Sequence, residues 1–234
     1  DLTIAPELIA AFPDLRIGVL TARGIRNTGT NADLQTLMRA DEAALRARLT
    51  TETLVQQPAI IAWREAYKKF GTKPNEYRPT AEALLRRVLR GDPLPTISPA
   101  VDAYLAIETE FYLPIGGYDL AQVTGDITLR FSPGGEAFLP IGGAAAETTY
   151  AGEVVYVDAD KVLTRRWNYR DCDAAKITPE STDIVLVCEA TGAGIATETL
   201  QQCMTQLSAY LQRYCGGSNT HQILDGQTAT QITL

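Results

Sequence analysis

The 234-residue sequence predicts an α/β protein of the layered α+β kind, with mixed sheets flanked by helices. Three observations predict it. Apolar residues at helical spacing dominate the first half, from Leu34 to Phe111. Short β-prone runs separated by glycine pairs take over after Pro114. One further long helical pattern, about Ala196 to Cys215, follows them.

Leu15 to Ala22 (LRIGVLTA) is an apolar strand closed by Arg23 and Gly24. Asn27 to Asn31 is prone to turn, and a helix follows with Leu34, Leu37, Met38, Leu45 and Leu49 inward. The segment QPAIIAWREAYKKFG sets Ile60, Trp63, Tyr67 and Phe70 on one stripe and stops at Gly71. Lys73 to Pro79 is a polar connector. Thr80 is positioned to cap a helix that buries Leu84, Leu85, Val88 and Leu89 and ends at Gly91. Ser98 followed by Pro99 starts another helix, running to about Phe111.

Strands are then expected at Asp126–Phe131, Ala137–Ile141, Glu153–Val157, Val162–Trp167 and Ile184–Ala190. Leu113 to Leu120 (LPIGGYDL), with paired glycines, reads in isolation as a turn into the next strand. The final helix turns Leu200, Cys203, Met204, Leu207, Leu211 and Tyr214 inward, and Gly216 and Gly217 end it. No shift in composition marks a linker, so one domain over residues 1–234 is expected.

Composition excludes several classes of function. No apolar run approaches the ~18 residues of a membrane span, and the first twelve residues do not form a secretory signal, so a cytoplasmic protein without membrane contact is expected. Cys172, Cys188, Cys203 and Cys215 form no C-x-x-C pair, and His221 is the one imidazole. Reduced, buried thiols and no metal or other cofactor follow. A serine or cysteine nucleophile needs a positioned imidazole base, and His221 lies in a polar segment that reads as surface. The net charge of −7 argues against a dedicated nucleic-acid binder, so any RNA contact must come from a local basic patch.

Three features stand out as candidate sites. Glu189 ends the apolar run IVLVCEA, which reads as a strand buried on both faces; its carboxylate is either a solvated terminus or lines a pocket. The run Arg165, Arg166, Trp167, Asn168, Tyr169, Arg170 interleaves guanidiniums with aromatics and suits phosphates and bases, unless nearby acids pair with it. If extended, it would put Arg165, Trp167 and Tyr169 on one face. The glycines Gly116 and Gly117 allow a ligand or backbone to approach closely.

Residues 98–138 carry Val101-Asp102 on a helix, Pro114 through Tyr118-Asp119, Gly125, and the strand Ile127 to Arg130. This order resembles the B3/B4 editing domain of the phenylalanyl-tRNA synthetase beta chain, over roughly residues 95–190. The segments WREAYKKFGTKPNEYR and TRRWNYRDCDAAKIT look more like free-standing members of that family, and this likeness covers nearly the whole chain. The resemblance implies a layered α/β fold and hydrolysis of an amino acid wrongly esterified to tRNA, with a pocket glutamate matched by Glu189. The family's Thr-Asn pair falls on Tyr104 and Leu105 and its turn histidine on Gly116; a later pocket threonine aligns loosely with Thr220. These departures mean that tyrosine is not carried over as substrate.

The resulting expectation is a cofactor-independent hydrolase that clears a mischarged aminoacyl-tRNA in trans. Glu189 would recognise the amino acid or position water. Arg165, Arg166, Trp167, Asn168, Arg170, Gly116, Gly117 and Tyr104 would line the pocket or hold the acceptor end. The alternatives are a non-catalytic module binding RNA or an aminoacyl ligand, and a hydrolase of a small amino-acid ester or amide.

Overall fold

In the computed structural model, which describes residues 1–192 and 194–234, helices and strands alternate as expected for a layered α/β chain. The first half holds β1 (Leu2–Ile4), α1 (Pro6–Ala11), β2 (Arg16–Arg23), α2 (Ala32–Arg48), α3 (Thr51–Leu54), α4 (Pro58–Lys69), α5 (Thr80–Leu89) and α6 (Pro99–Phe111). The strands β3 (Ile115–Asp119), β4 (Ile127–Phe131), β5 (Ala137–Phe138), β6 (Glu147–Thr148), β7 (Val154–Val157) and β8 (Val162–Arg165) come next. The chain closes with β9 (Arg170–Asp171), β10 (Ile184–Ala190), α7 (Thr197–Tyr214), β11 (Ser218–Leu224) and β12 (Gln231–Ile232).

Two sheets carry the architecture. One, in the order β11-β2-β10-β3, is antiparallel throughout. The other runs β12-β1-β4-β7-β8-β9 and is mixed, since β1 pairs with β4 in parallel. β10 lies between β2 and β3 and is buried along its whole length. Its period-two alternation divides the core. Ile184, Leu186, Cys188 and Ala190 pack with α6 and α7, while Val185 and Val187 pack with Leu129, Val155 and Tyr156 of the second sheet. Glu189 follows in the same row as Val185 and Val187, so it points between the sheets. Helix α4 brings Trp63, Tyr67 and Phe70 into that inter-sheet core, as its stripe predicts.

Several expectations are corrected. The pair Gly116–Gly117 lies inside β3, opposite Val187 and Leu186 of β10, and not in a turn. Thr80 is the first residue of α5, and Pro79 takes the cap position without a side-chain bond. The exposed helical amide of Thr80 is satisfied by the Asn168 carbonyl at 3.1 Å. The arginine-rich run is not extended: β8 ends at Arg165, and Arg166 (φ 48°) and Trp167 (φ 68°) are left-handed. Such a conformation costs on the order of 1–3 kcal/mol in a residue with a side chain, and the surrounding contacts must enforce it. Here they do, because the Arg166 amide donates to Glu153 at 2.9 Å and the Trp167 amide to the Val154 carbonyl at 2.7 Å.

Very short elements such as β1, β9 and β12 gave no periodic signal, and β11 is a polar edge strand on which His221 is half-buried. All four cysteines are buried and free, with the Cys188 and Cys203 sulfurs 3.5 Å apart. Among the described residues no helix is long and apolar enough to cross a membrane.

The two glycines of β3 face opposite ways, which gives a stability test. A Cβ on Gly117 would overlap the Leu186 side chain and stand 2.5 Å from the Val185 carbonyl oxygen, whereas one on Gly116 would meet Asp171 at an ordinary 3.5 Å. In urea unfolding, Gly117→Ala is expected to lose about 1–3 kcal/mol through overpacking and Gly116→Ala much less.

Candidate functional site

The facing rows of the two sheets enclose a cavity of about 270 Å³, closed on a third side by α5 and α6. β10 contributes Glu189 and Val187, and β3 contributes Ile115, Gly116 and Tyr118. On the opposite sheet, Tyr156, Thr164 and Asp171 are cross-strand partners in adjacent strands β7, β8 and β9, and so form one row. Helix α6 adds the neighbours Tyr104 and Leu105 and, about one turn later, Glu108, and α5 adds Thr80 and Leu84.

Glu189 is 1% exposed. Its Oε1 accepts from the Tyr156 hydroxyl and from the Trp167 indole N–H at 2.9 Å, and its Oε2 accepts from the Asn168 amide at 2.8 Å. Tyr67 donates to Asn168 Oδ1 at 2.8 Å, fixing that amide's orientation. Burial pushes the Glu189 carboxyl up to about 7, against the opposing effect of these three donors. A second hydrogen-bonded chain crosses between the sheets. Thr164 lies 2.6 Å from the Tyr118 hydroxyl and donates to Asp171 Oδ1 at 2.5 Å. Burial raises Asp171 to about 6. Its Oδ2, on the Gly116 side, accepts no hydrogen bond among the described residues.

Glu108 is fully buried, and neither of its oxygens completes a hydrogen bond, although the Ile115 amide and Thr80 hydroxyl are beside it. Burial holds its carboxyl well above the ordinary range, with Asp171 adding to the effect. Three carboxylates therefore line the cavity, with Arg170 as the one cationic side chain among the described lining. Sequence reasoning missed Asp171 and Glu108. Asp171 gave no signal of its own, whereas Glu108 interrupts the apolar face of α6 four residues after Tyr104.

The predicted site residues separate into distinct roles. Glu189, Trp167, Asn168, Arg170, Gly116 and Tyr104 line the cavity, as does Leu105. Trp167 is fully buried and packs edge-on against Trp63 with ring centroids 5.0 Å apart. Arg165 is not available to a ligand: it grips the fully buried Glu153 through Nε at 2.8 Å and Nη2 at 3.0 Å, and reaches Glu147 at 2.6 Å. Gly117 turns toward the helical side of its sheet. Thr220 is exposed on β11, at the far edge from β3, so the loose alignment that placed it in the pocket does not hold. Arg166 stacks on Tyr77, its guanidinium carbon 3.7 Å from the ring centre.

A second groove adjoins the cavity and shares Thr80, Tyr169 and Arg170 with it. Arg78, Arg86, Arg90 and Arg170 line it, with Glu76 as the one acid. Arg86 is tied to buried Glu82 at 2.8 Å and Arg78 lies 3.8 Å from the same carboxylate. Arg90 and Arg170 are exposed and have no acidic partner among the described residues. This is a local basic patch on an acidic chain, as an RNA contact would require.

Residues 62–225 match the model of the family described as the B3/4 domain. Among solved structures, the chain is similar to an N-terminal fragment of the phenylalanyl-tRNA synthetase beta-subunit from Pyrococcus horikoshii, with 11% identity and a TM-score of 0.48. The alignment covers 93% of this chain and 49% of that one, so this chain spans about half the fragment's length. No curated protein matches it.

The raised carboxyl of Glu189 makes stability depend on pH. Its folded value, about 7, is above the ordinary 4.5, so the folded state binds the proton more tightly than the unfolded chain. The contribution is complete below the unfolded value and is lost as pH rises toward the folded one. Urea midpoints measured between about pH 4.5 and 7 should therefore fall less steeply in Glu189→Gln than in the wild type.

Proposed function

The chain belongs to the B3/4 domain family, and from that premise we propose that it binds the acceptor end of an aminoacyl-tRNA and hydrolyses the ester of a mischarged one in trans. The observation that carries this reading is the continuity of two features. A cavity holding a hydrogen-bonded, buried Glu189 opens beside a groove with exposed Arg90 and Arg170, which have no acidic partner among the described residues. The groove would hold the phosphates of the single-stranded end, and Tyr169 offers a ring for base stacking. The aminoacyl group would enter the cavity.

Deacylation requires water to add to the ester carbonyl, the C–O bond to the terminal ribose to break, and one proton to leave the attacking water. The ribose departs as a hydroxyl and the amino acid as a carboxylate. Asp171 lines the cavity and is suited to take that proton, with a carboxyl near 6 and an Oδ2 that no donor among the described residues engages. Glu189, fixed by three donors, is suited to orient the amino acid. No imidazole is needed.

A hydrolase of a small amino-acid ester remains a second reading, because the net charge of −7 disfavours tRNA away from the groove.

Incubation with a panel of charged and mischarged tRNAs tests the proposal. Release of amino acid is expected from a mischarged species, and Glu189→Ala and Glu189→Gln should both suppress it. Binding without release would leave a recognition module, and neither binding nor release would favour the small-ester enzyme. Single-turnover rates should climb through about pH 6 as Asp171 ionises, and Asp171→Asn should remove that limb and lower the rate roughly 10²- to 10⁴-fold. In parallel, Arg90→Glu and Arg170→Glu should weaken tRNA binding and flatten its log–log salt dependence by about 0.7 for each phosphate that is no longer neutralised.

A further inference from the structure

We infer that the cavity selects a ligand carrying positive charge at two points, as in a basic amino-acid derivative with both an α-ammonium and a side-chain ammonium or guanidinium. The inference rests on the proposed function only in naming the ligand as an amino acid; the selection itself follows from the cavity.

Among the described residues the wall carries the side chains of Glu108, Asp171 and Glu189 against one cation, Arg170, which lies at the shared edge with the groove. Glu108 offers two oxygens and Asp171 one that no donor among the described residues engages. Burial holds the Glu108 carboxyl towards its neutral form, and a cation brought in by a ligand would supply donors and favour ionisation there. Ammonium and guanidinium groups supply donors only, three and five respectively, which matches a set of unfilled acceptors.

The rest of the wall has the same preference. Five aromatic rings, of Tyr104, Tyr118, Tyr156, Trp167 and Tyr169, line the cavity, and aromatic faces attract organic cations. The carboxylates do not converge on one point: among the described residues no three acidic, histidine or cysteine side chains come close enough to hold a metal ion. They stand on separate elements, Glu108 on α6, Asp171 on β9 and Glu189 on β10. Glu189 Oε2 accepts only the Asn168 amide among the described residues and keeps a second lone pair, which a single compact cation beside Glu108 and Asp171 would leave unmet. Two cationic groups joined by an aliphatic chain can meet all three, and the chain would lie against Leu84, Leu105, Ile115 and Val187.

Calorimetric titration of the whole protein with amino-acid amides tests this without tRNA. Lysinamide and argininamide carry two charges, norleucinamide one, and N-acetylnorleucinamide none. The expected order of affinity follows the charge, with lysinamide at least about tenfold tighter than norleucinamide. Glu108→Gln, which keeps the side chain's shape and removes its capacity for charge, should reduce that ratio to within about threefold. Equal binding of lysinamide and norleucinamide would overturn the inference, as would a preference untouched by Glu108→Gln. Deacylation of a mischarged tRNA without any preference for the doubly charged amides sinks this inference alone. A charge-ordered affinity with no deacylation of any tRNA sinks only the editing proposal.

Discussion

A carboxylate buried between two sheets must be given hydrogen-bond donors, and much of the local architecture follows from how Glu189 receives them. Tyr156 reaches across from β7, the Trp167 indole comes from the turn after β8, and the Asn168 amide comes from the next residue. To present both Trp167 and Asn168 to one side chain, the backbone must turn sharply. The left-handed conformations of Arg166 and Trp167 are that turn. Asn168 then does two further jobs, accepting the Tyr67 hydroxyl of α4 and capping the first amide of α5. One buried charge thus fixes two strands, one turn and two helices.

The surrounding arginines and acids show two different solutions to burial. Arg165 with Glu153, and Arg64 and Arg86 with Glu82, form close pairs in which guanidinium geometry satisfies the carboxylate, and Glu82 is held below its ordinary range as a result. These pairs are structural and leave nothing over for a ligand. Glu189 and Asp171 have neutral donors, and Glu108 completes no hydrogen bond among the described residues. All three are pushed upward by burial. The fold therefore separates carboxylates compensated by guanidiniums, which stabilise it, from carboxyls that burial holds towards their neutral form, which it gathers in one cavity.

The fold class was legible because helix and strand periods differ and the chain keeps them apart. Glu189 was legible for a related reason, as a carboxylate closing an otherwise apolar strand. The pocket positions Tyr104, Leu105 and Gly116 came from the family resemblance, and all three line the cavity. What stayed hidden depended on partners distant in sequence. Nothing local in RRWNYR distinguishes Arg165, committed to Glu153 twelve residues earlier, from Arg170, exposed at the rim. Nor does a glycine pair announce that it lies within a strand, since the turn and the close approach both call for the same residue. Asp171 needed the row Tyr156–Thr164–Asp171, which exists only once β7, β8 and β9 are in register.

The capping of α5 by Asn168 has a further consequence. The residue whose amide holds the Glu189 carboxylate also sets, through its carbonyl, where α5 begins. Two peptide units later the chain reaches Arg170, and the far end of α5 presents Arg90, so both open cations of the groove are indexed to the same residue. The offset between the two exposed arginines and the Glu189 carboxyl is therefore set by two peptide units, one hydrogen bond and the length of a helix. Any ligand that bridges groove and cavity meets these groups at a fixed spacing.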